Sequence, residues 1–549
     1  MSELMNTGVQ HLKDVVNVDV LLEWYEKYMS KYTNTRAKRI SIGVAISLLW
    51  FARSVYKKSV PPKQLRHFPH VSYFSFMKNL LMQKESTYNM FHRYNQPLIE
   101  QTHGFYLRPE RSGWVVHVSN PIAVKQIFMK SEIFPKLQSQ NVEGTFNNHF
   151  FGNDNILLSN GDTWKKHRKL VNPAFHKASP VKLFGNTAVE MFEMLEESYP
   201  NTDSFVIDFG NLMDRVTLDI IGRAGFDFDF NSTKDPNSKW KKIYHQVMSD
   251  QRNIKFIFFP ALDRYFRYLM PARMEAWKRL NEFLNMLDEV IEHKRKVLQE
   301  NIDQGIEEHE KDLLTLMLEG EMRGEGVLTQ EQFIGNLVIF FIAGHDTTAN
   351  ALNSTVYHLA SNPDIQEKAR QEVIDVLCPE GEGEQKEDVL PTMEDTKKFV
   401  YLNQIMKESL RINGPVVHLV SPRVVQKDVE LAGQFVPKDT IVNVNLYDLH
   451  HNEEVWSDPY KFNPDRFGEG GEAEQMAQGG LAWTPFANGS RQCIGMNFSL
   501  NEQRVFLSMM LRRYEFSLPE NSTHKERYVT GNTLISQPIN LQIQFKKRF

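Results

Sequence analysis

The chain has 549 residues, 41% of them hydrophobic and 24% charged, enough for a large core, and no linker or internal repeat divides it after about residue 60. A net charge of −4 without a concentrated basic stretch gives no case for nucleic acid as a partner. Two cysteines, Cys378 and Cys493, exclude a disulfide framework and suit a reducing compartment.

In chain order, the first 35 residues are polar, with Val18, Leu21, Leu22 and Tyr25 at helical spacing. The apolar run starts too late for a cleaved signal peptide. It covers Ile40 to Ala52, flanked by Arg36, Lys38 and Arg39 on one side and by Arg53, Lys57 and Lys58 on the other. At ~1.5 Å per residue it reaches roughly 20 Å against a ~30 Å hydrocarbon core, and snorkelling extends it to about Tyr56. The reading is an N-terminal segment, 1–60, carrying a short membrane helix or in-plane anchor over 40–56. Pro61-Pro62 ends it, and one domain over 61–549 follows.

Residues 104–107 and 114–118 predict strands around a turn at Glu110-Arg111-Ser112-Gly113, and Asn120-Pro121 starts a short helix. Residues 135–160 are Asn-rich and aperiodic, as a functional loop would be. Asp162 is placed to cap a helix from Thr163, on which Trp164 and Arg168 share a face; alone, this reads as a surface helix with a basic side. From about 185 to 315 the periodicity is helical, and the apolar run 256–259 reads as core or pocket wall.

Thr329-Gln330-Glu331-Gln332 is a capping box that opens the longest helical pattern, which Asn362-Pro363 stops. Inside it, Ala343-Gly344-His345-Asp346-Thr347-Thr348 is poor helix composition. Gly costs ~1 kcal/mol against Ala, and Asp and Thr compete for backbone hydrogen bonds, so the helix is expected to open there.

After a solvated loop, 379–388, a second helix over 397–412 carries Glu408 and Arg411, by spacing alone a weak surface pair. Arg423 leads into a strand and hairpin, and a further strand is predicted over 440–444. His450-His451 lacks a third ligand, so no metal site is assigned. Pro464-Asp465-Arg466-Phe467 follows, then Phe486-Ala487-Asn488-Gly489-Ser490-Arg491-Gln492-Cys493-Ile494-Gly495. Glycines allow the tight turns that bring N–H groups towards a metal-bound thiolate, and Phe486 can shield the sulfur. A helix over 496–513 and a small sheet within 517–544, with a turn near Leu534, complete the chain.

The decapeptide matches F-x-x-G-x-R-x-C-x-G at every fixed position, and on it the chain resembles the cytochrome P450 family, of the eukaryotic microsomal type. The other family motifs occur in order: W-x-x-x-R at Trp164 and Arg168, A-G-x-[DE]-T-[TS] at 343–348, E-x-x-R at Glu408 and Arg411, and P-x-R-F at Arg466. The resemblance covers about residues 60–549. It implies a mainly α fold with small β sheets, holding haem b between a long distal helix and a proximal cysteine loop, with the Cys493 thiolate as axial ligand. It further implies Trp164, Arg168, Arg423 and Arg491 at the haem propionates and a structural triad of Glu408, Arg411 and Arg466. Asp346 and Thr347 would deliver protons. Phe340, Ala343, Val416, Val417 and Leu534 are candidate substrate-pocket residues. His345 stands where the family varies and receives no role.

The implied reaction inserts one oxygen atom from O2 into a lipophilic small molecule. No flavin or nicotinamide motif is present, so electrons are expected from NADPH–cytochrome P450 reductase, with cytochrome b5 as a further donor and Lys165, Lys166 and Lys169 as docking contacts. The implied location is the endoplasmic reticulum membrane, the catalytic domain facing the cytoplasm. The alternatives are a haem-thiolate peroxide isomerase or dehydratase, whose members often lose the acid–Thr pair, and a non-enzymatic haem-binding protein.

Overall fold

The computed structural model describes residues 36–82, 86–138, 142–177, 180–304, 311–378, 387–476, 479–531 and 535–549. The amphipathic piece before residue 36, most of the 379–388 loop and Leu534 lie outside them. Two units are distinguished, with the division at Pro62 and Lys63.

In the first unit the helix runs Arg36–Ser59 and stops before Pro61-Pro62. Val44, Ile46, Leu48, Leu49 and Trp50 are exposed on it. Among the described residues no helix is long and apolar enough to cross a membrane. Basic residues occupy both ends of the helix, so its length exceeds its apolar stretch.

The second unit is mainly helical. Its four-stranded sheet places Phe105–Glu110 antiparallel to Gly113–Val118, which pairs in parallel with Ile441–Val444. Arg423–Val424 closes the other edge, with Arg423 opposite Val442. A second sheet joins Ser204–Asp208, Gln542–Lys547 and Tyr514–Ser517. The Ser204–Asp208 strand lies inside the stretch read as wholly helical; its five residues are too few to break the periodicity of the long helices around it.

The long helix Gln330–Ser361 starts at the predicted capping box, with Thr329 and Gln332 exchanging side-chain and backbone bonds. Phe333, Leu337, Val338, Leu352, Val356 and Leu359 fix it in the main core. It packs closely on the helix Phe209–Phe226. A Cβ at Gly344 would lie 2.8 Å from Ile221 Cδ1, so glycine permits the approach. The expected opening at 343–348 does not occur. The helix is continuous there, with Thr347 Oγ1 donating to the Ala343 carbonyl at 2.6 Å within the same helical turn.

A second correction concerns residues 256–259, expected as core or pocket wall. Phe256 and Ile257, on the short helix Ile254–Phe258, are half-buried and line a cavity, with Arg273 over the Phe256 ring at 4.0 Å, but Phe258 and Phe259 are exposed, as are Leu262 and Tyr265 on the next helix, Pro260–Tyr265. A continuous apolar run does not distinguish a buried face from an outward one.

Candidate active site

The cysteine loop is built on backbone geometry. Ala487 and Gly489 take φ of 56° and 70°, Cys493 N–H donates to the Phe486 carbonyl at 2.9 Å, and Gly489–Arg491 form a 3-10 turn. A Cβ on Gly489 would sit 2.5 Å from the Phe128 carbonyl oxygen, which excludes any other residue at that turn. Cys493 combines accessible surface with an enclosed thiol. Burial pushes the thiol up, while the Gly495 N–H and the Arg168 charge pull the other way. Cys378 is buried.

The long helix is tied to this loop at two points. Thr348 Oγ1 lies 2.9 Å from Ser499 Oγ, on the helix Met496–Arg513 that follows Cys493. Phe340 packs on Phe175, rings 5.2 Å apart, and Phe175 lies beside Gly495. Phe340 is buried in that contact, whereas Ala343 is exposed and Thr347 half-buried one and two turns later. Val416 and Val417 are half-buried, and Val416 bridges to Ile535.

Four cations gather near the loop. Arg491 lies over the Trp164 ring at 3.8 Å, donates to the Ser159 carbonyl at 2.9 Å and to Asn160 Oδ1 at 3.2 Å. Asn160 also binds the Lys136 backbone in both directions, and Lys136 Nζ donates to the Leu157 carbonyl at 2.6 Å. Arg168 donates to the Gln492 carbonyl at 3.2 Å. Lys136 and Arg423 are opposed in a β-bridge, and the buried Arg423 Nε has no partner. Burial, then Arg423, Arg491 and Arg168, hold the Lys136 ammonium well below its ordinary value. Burial moves Arg423 to about 10, and burial with the Arg423 and Arg168 charges moves Arg491 to about 9. No carboxylate offsets these charges among the described residues. A clustered set of cations with an orphaned guanidinium nitrogen fits a dianionic group such as the two propionates of haem b.

Lys136 and Asn160 were not found from the sequence. Both lie in the aperiodic stretch 135–160, where single polar residues carry no pattern.

A separate group of charges is fully enclosed. Glu408 accepts from Arg411 Nε at 2.7 Å and Nη2 at 2.9 Å, from Arg466 Nε at 3.2 Å and from Asn463 N–H at 3.0 Å. Arg411 also donates to the His450 and Pro459 carbonyls, and Arg466 to Glu472. Glu408, Arg411 and Arg466 are all buried, unlike an ordinary i,i+3 surface pair. His450 and His451 are buried, and His450 Nε2 accepts the Thr484 N–H.

Asp346 and Thr347 diverge. Asp346 is buried, with Oδ2 accepting from Arg252 at 3.1 Å and Oδ1 lying 3.2 Å from His345 Nδ1. Burial alone would raise its pKa; His345 first, then Arg252, outweigh that and lower it.

The cytochrome P450 family profile matches residues 69–545. The chain is 28% identical to human cytochrome P450 4F2 over 448 residues, covering 78% of each protein. It is 31% identical to rat cytochrome P450 4F6, over 66% of each, and 29% identical to cytochrome P450 734A1 of Arabidopsis thaliana, over 74% of each. The protein belongs to the cytochrome P450 family of haem-thiolate monooxygenases.

Proposed function

We propose that this enzyme oxygenates a lipophilic small molecule with electrons drawn from NADPH through a separate reductase, at the endoplasmic reticulum membrane with its catalytic domain on the cytoplasmic side. The observation that carries the reading is the uncompensated cluster of Lys136, Arg168, Arg423 and Arg491 beside the Cys493 loop. Haem b bound there would supply one-electron and dioxygen chemistry. Cys493 is the ligand, with the Gly495 N–H and Arg168 favouring the thiolate. Arg423, Arg491, Arg168 and Lys136 hold the propionates, and Trp164 seats Arg491. Asp346 moves protons inward to the Thr347 hydroxyl, and the exposed Ala343 leaves room beside it for substrate. Glu408, Arg411 and Arg466 fix the scaffold without acid–base duty.

If the cation cluster binds the propionates, Lys136→Gln and Arg423→Gln should each weaken haem retention by about 10–100-fold, the loss of one charged hydrogen bond. Haem transfer to apomyoglobin measures this, and wild-type retention in both variants would remove the assignment.

Membrane association is favoured by the segment 254–269. Phe259, Phe266, Tyr268 and Leu269 are 63%, 50%, 66% and 78% exposed, interleaved with Lys255, Arg264 and Arg267. Burying Phe259 and Leu269 in lipid would contribute about 1.5–3 kcal/mol each. The double variant Phe259→Glu, Leu269→Glu should therefore pellet at least roughly tenfold less with phosphatidylcholine–phosphatidylserine vesicles. Equal pelleting would contradict this role. The exposed Lys165, Lys166 and Lys169 are the proposed reductase contacts. Product formation that requires O2, NADPH and reductase together tests the whole reading; turnover of a hydroperoxide without them would assign a peroxide isomerase or dehydratase instead.

A further inference from the structure

A polar cavity of about 730 Å³ lies against the long helix, lined by Asp214, Tyr244, His245, Arg252, Asp346 and Asn350 among others. Its size and polar groups suit ordered water. His345, fully buried, lies behind this lining and contacts two of its carboxylates. Its Nε2 hydrogen-bonds the Asp214 main-chain carbonyl at 2.9 Å and lies 2.9 Å from Asp214 Oδ1, on the helix Phe209–Phe226, and its Nδ1 lies 3.2 Å from Asp346 Oδ1. The Asp214 carboxylate reaches outward to His245 Nε2 at 3.0 Å, on the helix Lys239–Gln251. Tyr244 Oη, from the same helix, is 3.4 Å from His345 Nδ1. Arg252, at that helix's C-terminal cap, holds the other Asp346 oxygen. Glu502, from the helix Met496–Arg513, is the remaining charged neighbour, its carboxyl pushed well up by burial.

We propose that His345 is a positioning residue for proton supply: clamped by Asp214 on one ring nitrogen and Asp346 on the other, it holds the Asp346 carboxylate at the wall of the polar cavity. The inference rests on the reading that Asp346 supplies protons to Thr347. The two cations on Asp346 differ in kind. Arg252 is 47% exposed and can withdraw into water, releasing Oδ2, whereas His345 is enclosed and held from both sides. Asp346 Oδ2 then takes a proton from cavity water, the hydroxide is neutralised from bulk solvent, and the carboxylate returns when its proton passes inward.

Electrostatics agree with the geometry. Burial would depress the imidazole, but Asp214 and then Asp346 carry it up to about 10. A raised histidine contributes stability fully below its ordinary value near 6.5 and loses it as pH rises through about 10. Asp346 is depressed, so its contribution is present above the ordinary carboxylate range and is lost on acidification. The clamp is therefore intact across neutral pH.

In full-length holoprotein, His345→Gln should raise the Asp346 titration by at least about one pH unit. Infrared difference spectra of the protonated carboxyl stretch read this directly, with Asp346→Asn assigning the band. The pH profile of coupling, product formed per NADPH consumed, should gain an acid limb displaced equally. Asp214→Asn leaves the imidazole and its bond to the Asp214 main-chain carbonyl in place and removes an anion that itself raises Asp346, so it should move both in the opposite direction; it decides the matter if His345→Gln does not fold, and a move in the same direction as expected for His345→Gln would overturn the clamp. Should folded variants with the wild-type Soret spectrum leave the Asp346 titration unmoved, the clamp is overturned. An infrared shift with an unchanged coupling profile would overturn the Asp346 reading beneath it, and the proposal with it.

Discussion

Replacing Cys493 with alanine is expected to bring turnover to background and to abolish thiolate ligation, while Cys378→Ala leaves both near wild type. The loop geometry separates the two cysteines. Cys493 has accessible surface, a backbone turn held by its own N–H on Phe486 and a Gly495 N–H directed at its sulfur; Cys378 is buried at the end of the helix Pro363–Leu377. Alanine keeps the N–H bond and the turn but removes the sulfur, so the protein should fold with its scaffold intact. Haem content, the Soret spectrum and oxygen consumption distinguish lost ligation from lost folding. Sustained turnover by Cys493→Ala, or its loss in Cys378→Ala, would reverse the assignment.

Glu408→Ala is expected to destabilise the fold by about 3–5 kcal/mol, the range for breaking a buried ion pair on one side. Its carboxylate accepts four bonds from Arg411, Arg466 and Asn463, and the two guanidiniums are buried at 1% and 4% exposure. Without it, Arg411 remains enclosed with only the His450 and Pro459 carbonyls, which do not neutralise it, while Arg466 keeps Glu472 and the Asp458 carbonyl. Lys165→Ala is the contrast: its ion pair with Asp162 is exposed on both sides and should change stability by no more than about 1 kcal/mol. Denaturant unfolding of the holoprotein compares them, and a Glu408→Ala effect as small as that of Lys165→Ala would contradict a structural role for the triad.

Elements with a local chemical reason were legible in the sequence. The capping box at Thr329, the Asn120 cap before Pro121 and the hairpin around Arg111-Ser112 occur where their residues demand them. The family resemblance supplied what local chemistry could not, since Glu408 and Arg411 look like a surface pair until Arg466 closes on them from 58 positions away. Other features depended on tertiary neighbours. The long helix stays closed through Gly344 and Thr347 while packed against the helix Phe209–Phe226, with Ile221 filling the space beside the glycine. His345 shows no signal in sequence: a histidine beside an aspartate is unremarkable until Asp214, 131 residues earlier, takes its other nitrogen. Lys136 likewise gains meaning only opposite Arg423.

The central claim is that Cys493 presents a thiolate to haem iron within a cation-lined site. The carbon monoxide complex of the reduced full-length protein tests it without knowledge of the substrate. A Soret band shifted strongly to the red, lost in Cys493→Ala, is the predicted result; an unshifted band in folded wild-type protein with full haem content would contradict it.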